Sequence, residues 1–235
     1  MGSIKEGAVR KIRLTILGGA LVLVLAQAAP GVAGSPPANI RVTNDVASTY
    51  VSADQLGGGS YTDATLARCG IDRRMQNEPT LALDPRNAQV RTSGSNDYCT
   101  VPTNGDAWAG FYRSSDGGAT WADSLLPGYK LDSSTQGAAS PVHQMTLGGA
   151  TAAGDPVQAW DGKGDLFFMG NNFNRGIEDG RSASFRDNTG DVWVATYAPK
   201  SSDTSTDGSR YVRTVILAAN TFGQGSFNDL SLIHI

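Results

Sequence analysis

The sequence of 235 residues predicts an all-β fold, and three observations support this prediction. Glycine is abundant, with 29 residues, and serine, threonine, asparagine and aspartate, which also favour turns, are frequent. β-Branched and aromatic residues occur in short runs, and no long apolar stripe has helical spacing. A set of short segments also recurs along the chain, as is typical of folds built from repeated strands.

The first repeat unit contains four segments that we predict to be strands. The first segment, EPTLALDPRN, begins at Glu78, and the second, VRTSGSN, ends at Asn96. The third is DAWAGFY at residues 106–112, and the fourth covers residues 120–126. Short runs of this kind, separated by turn residues, predict an antiparallel sheet of four strands.

The second unit repeats this order. DPVQAWDGKG begins at Asp155, LFFMGNN ends at Asn172, and DVWVATY at residues 191–197 matches DAWAGFY at its Asp, Trp and Tyr. A fourth strand is expected at residues 211–218, and FND at residues 227–229 matches the start of a third unit. Tandem four-stranded units predict consecutive blades of a β-propeller.

The turn before the fourth strand of the first unit has the sequence SSDGGATW. The carboxylate of Asp116 can accept hydrogen bonds from its own turn, between Ser114 and Thr120, and Gly118 can supply a positive φ angle. Trp121 begins the next strand and can bury a large apolar surface. These residues predict a turn that serves folding.

The spacing S/T-x-D-x-G-x-T-W in this turn resembles the Asp box, also called the bacterial neuraminidase repeat. A second copy begins at Ser205 and keeps Asp207. This copy is degenerate, because Ser209, Tyr211 and Val212 stand at the glycine, threonine and tryptophan positions.

Together with the repeat, this motif makes the chain similar to the sialidase-like Asp-box β-propellers over about residues 77–229. The resemblance implies about six or seven four-stranded blades in the intact protein, of which about two are present. It also implies a carbohydrate-directed glycoside hydrolase of the exo-sialidase type. Such enzymes use three arginines to clamp the substrate carboxylate, a tyrosine nucleophile activated by a glutamate, and an aspartate as acid and base.

Two other functions stay open. The Phe/Tyr-Arg-Ile-Pro motif of many family members does not occur in this sequence, which fits a non-catalytic extracellular propeller that binds glycans or proteins. The third option is another Asp-box hydrolase, which would act on polysaccharide with two carboxylates across a groove. In each case we expect a glycan or glycoprotein as the main partner.

Four residues are weak candidates for catalysis. Arg73 and Arg74 precede the first strand and could reach the mouth of a central channel. Arg175 and Glu178 lie in residues 171–191, a long connection between predicted strands, and long loops on rigid scaffolds tend to carry function. A solvated loop with internal ion pairs is the alternative for this connection.

Residues that recur in every unit are expected to be structural instead. The acids at the start of each unit are Glu78, Asp155 and Asp229, and their recurrence favours hydrogen bonds that fix loops. Trp108 and Trp193, which we take as equivalent, are expected in the core rather than on a surface that stacks sugars.

The sequence predicts no obligatory cofactor, with calcium as the alternative. Asp187 and Asp191 offer closely spaced oxygens, but they lack the EF-hand spacing, and a plain Asx turn is the favoured interpretation. A Ser-His-Asp triad would depend on His143, since His234 lies in the terminal segment described below, and an ordinary loop role is expected for His143.

The amino terminus predicts secretion. Four basic residues precede an apolar run at residues 14–26, and Ala26-Gln27-Ala28 has the form of a cleavage site. The run is shorter than the about 20 apolar residues of a membrane span. Loss of the four basic and one acidic residues of this leader changes the net charge from −3 to −6, which argues against nucleic acid or an anionic membrane as partner.

Export has a consequence for the two cysteines. Cys69 and Cys99 are predicted to form a disulfide, because the exported chain meets an oxidising environment and no nearby cysteine or histidine completes a zinc site. Two buried free thiols are the alternative.

The predicted organisation has four segments. A signal peptide covers residues 1–28 with cleavage near Ala28, an amino-terminal extension covers 29–76, and propeller blades cover 77–229. Residues 230–235, LSLIHI, correspond codon by codon to the mosaic-end adapter of sequencing libraries, so we expect an assembly artefact, with a native apolar tail as the alternative. The sequence leaves the oligomeric state open.

Overall fold

The computed structural model describes residues 39–43, 50–71, 75–174 and 189–219. These residues belong to the second of the two units into which the chain divides, Met1–Ala38 and Asn39–Ile235. No helix within the described residues has both the length and the apolar character needed to cross a membrane. Their strands form two antiparallel sheets of four strands each, so the structure is mostly β and the predicted four-stranded units are confirmed.

Sheet 1 consists of consecutive strands in the order β1-β2-β3-β4. The strands are β1 (Gln76–Leu83), β2 (Arg91–Asp97), β3 (Trp108–Ser114) and β4 (Ala122–Leu125). Each neighbouring pair is antiparallel, as short connections between consecutive strands require.

Sheet 2 has the same topology, in the order β5-β6-β7-β8. The strands are β5 (Ala152–Trp160), β6 (Leu166–Asn174), β7 (Thr189–Ala198) and β8 (Arg210–Ala218). The sequence therefore located all eight strands, with differences of a few residues at their ends.

The first strand of each sheet carries an irregularity at the same point of the repeat. The pairing register shifts near the start of β1 and of β5. Glu78 and Asp155 occupy these two positions with φ angles of 53° and 50°, a region that residues other than glycine rarely adopt. Each acid is followed by a proline, which has no N–H to donate to a ladder.

The sheet register corrects two equivalences that the sequence suggested. The residue before each irregularity pairs with Asn96 in sheet 1 and with Asn171 in sheet 2, so Asn171, and not Asn172, corresponds to Asn96. Trp108 lies one residue before the position opposite that asparagine, and Trp193 lies one residue after it. This displacement of two residues keeps both tryptophans on corresponding faces, because side chains in strands alternate with a period of two.

Aromatic rings fill the space between the two sheets. Phe111 of β3 stacks on Tyr197 of β7 with centroids 4.3 Å apart, and it lies 5.5 Å from the ring of Phe168 of β6. Trp108 and Trp193 are also fully buried, as the sequence predicted. Burial of one large apolar side chain contributes about 1.5–3 kcal/mol, so this cluster accounts for much of the free energy that holds the sheets together.

The outward faces of both sheets are apolar in part. Leu81 and Leu83 of β1 point away from sheet 2 and are more than half exposed, at 59% and 52%. Phe167, Val215 and Leu217 are exposed on the opposite face of sheet 2. Apolar residues on the outward side of a sheet usually pack against further structure.

Short helices, which the sequence did not predict, lie in the described connections. Most begin at recognisable caps: Ser52 and Ser134 accept the N–H of the third helical residue, and Asp63 accepts two N–H groups. The helices are α1 (Ala53–Leu56), α2 (Ala64–Cys69), α3 (Val101–Asn104), α4 (Thr135–Ala138) and α5 (Pro141–Leu147).

Residues 50–71 are held to sheet 1 by a β-bridge and a disulfide. Tyr50 forms a parallel bridge with Asp123 of β4, and the N–H that follows it, on Val51, donates to the Asp123 carbonyl at 2.8 Å. Cys69 at the end of α2 is bonded to Cys99 in the 3₁₀ turn after β2. The predicted disulfide is therefore confirmed over the alternative of two free thiols.

Candidate functional site

The sequence places its catalytic candidates at one end of the sheets, where β1, β3, β5 and β7 begin. We call this the upper end. The chain enters β1 there, and residues 175–188 connect the end of β6 to the start of β7 there. The roles of several candidates stay predictions, since they lie outside the described residues: Arg73, Arg74, Arg175, Glu178, Asp187 and Asp229.

Asp155 is a firmly held acid at the upper end. Its backbone N–H donates to Asn96 Oδ1 at 2.6 Å, and its carboxylate accepts from Asn171 Nδ2 at 2.8 Å and from Asn96 Nδ2 at 3.3 Å. Gly154 leaves room for this contact, because a Cβ there would lie 2.2 Å from Asn96 Oδ1. Asp155 thus connects β2 of sheet 1 with β6 of sheet 2.

Glu78 occupies the equivalent position in sheet 1 but has a different environment. Its side chain is exposed, whereas Asn96 and Asn171, which bind the carboxylate of Asp155, are at most 9% exposed. The two recurring acids are therefore not interchangeable. Asp155 is fixed at the contact between sheets, and Glu78 faces solvent at the upper end, where a ligand could reach it.

Asp191, the described member of the calcium candidates, is buried in β7 and pairs with Asn172 of β6. Within the described part of the chain, no group of three or more His, Cys, Asp or Glu side chains is arranged to hold a metal ion. A calcium site that uses Asp187 and Asp191 stays a prediction.

Sequence reasoning missed a buried cluster around Asp97, the last residue of β2. The hydroxyls of Tyr50 and Tyr112 donate to Asp97 Oδ2 at 2.5 and 2.8 Å, and Cys99 N–H and Gln76 Nε2 donate to Oδ1 at 2.9 and 3.3 Å. Burial raises the pKa of Asp97, against the effect of these hydrogen bonds. Burial and the nearby carboxylate also raise the pKa of Tyr50 and of Tyr112.

The tyrosines of this cluster are neutral hydrogen-bond donors. A tyrosine nucleophile needs a lowered pKa or an adjacent free base, and the pKa shifts of Tyr50 and Tyr112 have the opposite sign. The cluster therefore fastens the Tyr50 segment to sheet 1. No motif could reveal it, because Tyr50 and Asp97 are 47 residues apart. The local signal is Gly110, where a Cβ would lie 2.2 Å from the Tyr112 hydroxyl.

His143 lies in α5, in the connection between the two sheets. Its Nδ1 is 3.2 Å from the Tyr129 carbonyl oxygen. The Tyr129 hydroxyl donates to Asp63 at 2.5 Å, and Asp132 accepts two backbone N–H groups of its own turn. Burial raises the pKa of Asp132. These contacts shape the connection, and His143 takes part in them through a backbone carbonyl.

The first Asp-box turn, Ser114–Trp121, lies at the end of the sheet opposite the upper end. Asp116 accepts from the Thr120 N–H at 2.9 Å, the Thr120 hydroxyl at 2.6 Å and the Ser114 hydroxyl at 2.8 Å. These hydrogen bonds, those from Thr120 first, lower the pKa of Asp116 to about 2. Gly118 has a φ of 88°, and the half-buried Trp121 donates its indole N–H to the Gly118 carbonyl at 3.1 Å.

The second turn, Ser205–Val212, lies at the same end of sheet 2. Gly208 has a φ of 62°, so the left-handed conformation is kept after the aspartate. The side chain of Asp207 is fully buried, and it does not cap its own turn. Asp203 caps the turn instead, because its carboxylate accepts hydrogen bonds from the Ser205 N–H at 2.9 Å and from the Ser205 hydroxyl at 2.8 Å.

Comparisons with known proteins give one structural likeness. No family model matches the chain, and no curated protein matches it. The chain is similar to the solved structure of a Trypanosoma rangeli sialidase in complex with the inhibitor DANA, at 14% identity and a TM-score of 0.35. The match covers 60% of this chain and 20% of that sialidase, so this chain spans a small part of that protein's length.

Proposed function

We propose that the chain forms blades of a sialidase-like β-propeller that acts on carbohydrate as an exo-sialidase-type glycoside hydrolase. The observation that carries this proposal is the recurrence of the Asp-box turn. Two stacked four-stranded sheets each have this turn between their third and fourth strands. The motif and its place in the repeat are those of the family that the sequence resembles.

The outward faces support a propeller with further blades. Sheet 1 and sheet 2 contact each other through aromatic rings, whereas Leu81 on one outward face and Phe167 and Leu217 on the other are exposed. A blade of the same construction on each side would bury them, as neighbouring units do in repeat folds. In this arrangement residues 77–229 form blades, and the substrate-binding pocket of the propeller lies at the upper end.

The disulfide and the leader support an exported protein. Disulfides persist in oxidising compartments, and Cys69 and Cys99 are bonded. We infer a signal peptide at residues 1–28, an amino-terminal extension at 29–76, and a glycan or glycoprotein as partner outside the cell.

A non-catalytic propeller that binds glycans or proteins is the second candidate function. It is favoured by the hydrogen bonds at the upper end. Asn96 and Asn171 bind the carboxylate of Asp155, so this acid is engaged in the contact between the sheets. The raised pKa values of Tyr50 and Tyr112 point the same way, because neither hydroxyl is prepared to attack a sugar.

Hydrolysis and binding of glycans by the intact protein, with all of its blades, separate these functions. The purified protein is incubated with a fluorogenic α-sialoside and, in parallel, with an array of sialylated and neutral glycans. We expect turnover of the sialoside, and a loss of at least 100-fold in kcat/KM for Arg175→Ala and for Glu178→Gln, since both residues belong to the predicted site. Lys200→Ala is the matched control, because Lys200 is exposed at the end of the sheet opposite the upper end.

Each result of this experiment supports or contradicts a stated part of these proposals. Binding of sialylated glycans without turnover supports the second candidate and contradicts the first. Turnover that survives both substitutions contradicts the assignment of Arg175 and Glu178. A chain that neither hydrolyses nor binds any of these glycans contradicts both proposals.

A further inference from the structure

Two aspartates meet across the contact between the sheets, at the end opposite the upper end. Asp84 follows β1 of sheet 1, and Asp207 belongs to the second Asp-box turn of sheet 2. Asp84 is 2% exposed and Asp207 is fully buried. Their carboxyl groups are within hydrogen-bond contact of each other. Two carboxylates cannot share a hydrogen bond unless one of them holds a proton.

The surrounding groups leave these carboxyl oxygens short of donors. Asp84 Oδ1 accepts a hydrogen bond from the backbone N–H of Arg86 at 2.8 Å. Within the described residues, Asp84 Oδ2 and both carboxyl oxygens of Asp207 have no N–H or O–H donor in hydrogen-bond geometry. Gly164 makes the space for this contact, since a Cβ there would lie 2.5 Å from Asp207 Cγ. Buried polar atoms without a partner are costly, and one shared proton would supply the missing donor.

Two arginines of sheet 1 are the other charged groups that face Asp207. Arg86 Nε forms an ion pair with Asp207 Oδ2 at 3.4 Å, and its guanidinium donates to the Lys163 carbonyl. Arg113 donates to the backbone carbonyls of Asp207 and Ser205, at 3.0 and 2.5 Å. The guanidinium of Arg113 is therefore engaged by the backbone, and it does not donate to the carboxyl group.

We propose that Asp84 and Asp207 share one proton, and that this proton makes the contact between sheet 1 and sheet 2 tighter in mildly acidic than in neutral solution. Loss of the proton leaves two negative charges in a buried space with one adjacent ion pair. Two like charges within hydrogen-bond contact repel each other strongly where water is excluded. The contact then weakens, although the core between the sheets still holds them together.

The direction of the pKa shift of Asp207 agrees with this geometry. Burial first, and then the contact with Asp84, raise the pKa of Asp207 to about 6, while Arg86 and Arg113 act in the opposite direction. An unfolded Asp has a pKa of about 3.9. The stabilising proton is therefore fully bound below pH about 4, and its contribution is lost as the pH rises through about 6.

Urea unfolding of the full chain between pH 4.5 and 7.5 tests the proposal. In Asp207→Asn, the amide supplies a permanent donor to Asp84 Oδ2, so this variant mimics the protonated pair at every pH. We expect the urea midpoint of the wild type to fall relative to that of Asp207→Asn as the pH rises from 4.5, with most of the change complete near pH 6 and little change above it. Asp84→Asn is expected to show the same relative change.

Asp116→Asn is the matched control, since Asp116 holds the same motif position in the first turn but has a pKa of about 2. Its midpoint should differ from the wild type by a constant amount across this pH range. A pH-independent difference between wild type and Asp207→Asn would overturn the proposal. Carbon-13 NMR titration of the wild-type carboxyl groups decides the matter if the variants do not fold, because midpoints below 4.5 for both Asp84 and Asp207 would also overturn it.

Discussion

The two Asp-box turns have similar backbone conformations, but their aspartates make different contacts. In the first turn, Asp116 binds its own turn through Thr120 and Ser114, and its carboxylate is exposed to solvent. In the second turn, Asp207 faces Asp84 of the other sheet. The pKa values are on opposite sides of the ordinary value, at about 2 for Asp116 and about 6 for Asp207. The same residue in the same motif thus has opposite electrostatic surroundings.

This difference shows which part of the motif defines the turn. In both turns, the N–H of the residue after the aspartate donates to a carbonyl in the connection between the first two strands. These bonds join Gly117 to Gln89 at 2.8 Å, and Gly208 to Gly164 at 3.1 Å. Both glycines have positive φ, at 73° and 62°. The glycine and its backbone hydrogen bond therefore maintain the turn, and the aspartate is free to take another role.

Removal of the space around Asp207 should have the largest effect. Gly164→Ala is expected to destabilise the protein by about 3 kcal/mol, because the position has a positive φ and its Cβ would overlap the buried carboxyl group. Gly162→Ala is the control, since a Cβ there meets nothing within 4 Å. Urea unfolding at pH 6 measures both. Equal stability of the two variants would show that the pocket of Asp207 is not closely packed.

Loss of Arg113 should have the next largest effect. Arg113→Ala removes two hydrogen bonds from a charged group to the second turn, and we expect a loss of about 2 kcal/mol in the free energy of unfolding. Arg91 lies beside Gly118 of the first turn, and Arg91→Ala should change stability by about 0.5 kcal/mol or less, as surface substitutions usually do. Thermal and urea unfolding compare the two variants. A similar loss in both would contradict the special role of the second turn.

A substitution in the first turn should have the smallest effect. Thr120→Val removes the hydroxyl that donates to Asp116 at 2.6 Å and leaves the backbone N–H bond. The pKa of Asp116 should therefore rise from about 2 toward its ordinary value. The stabilisation that Asp116 provides, present above its unfolded pKa and lost as the pH falls through about 2, then disappears at higher pH. NMR titration of the Asp116 carboxyl group measures this change.

Ser115→Ala is the control for that titration, since Ser115 is an exposed neighbour in the same turn. It should leave the pKa of Asp116 unchanged. An unaltered midpoint in Thr120→Val would show that the Thr120 N–H and the Ser114 hydroxyl set the pKa without the Thr120 hydroxyl.

The fold was predictable to the level of strands and sheets, because repeat spacing and turn residues are local signals. The register was less accessible. Alignment of identical residues made Trp108 and Trp193 equivalent positions of the repeat. The backbone pairing shows that these positions differ by two residues. A sequence comparison matches side-chain types, and the sheet requires only that the face be kept. The short helices were not predicted because each is at most seven residues long. Such a length is too short for a helical period to appear in the sequence.

The site was less predictable than the fold for a physical reason. The Asp97 cluster and the pair of Asp84 and Asp207 join residues that are far apart in sequence, and each is created by how segments pack. The sequence did identify Asp207 as part of a degenerate motif, but the three altered positions around it gave no sign of its partner. The catalytic candidates Arg175 and Glu178 stay predictions that the hydrolysis assay tests.

The disulfide has a mechanical consequence. Tension applied at the amino end is first borne by the contacts of Tyr50 with sheet 1, which are its bridge to Asp123 and its hydroxyl bond to Asp97. The load then reaches Cys69 and passes through the covalent bond to Cys99. Residues 70–98, which include β1 and β2, lie inside this covalent loop and carry no load. A tether at the amino end would therefore leave these two strands of sheet 1 unstretched as long as the disulfide is intact.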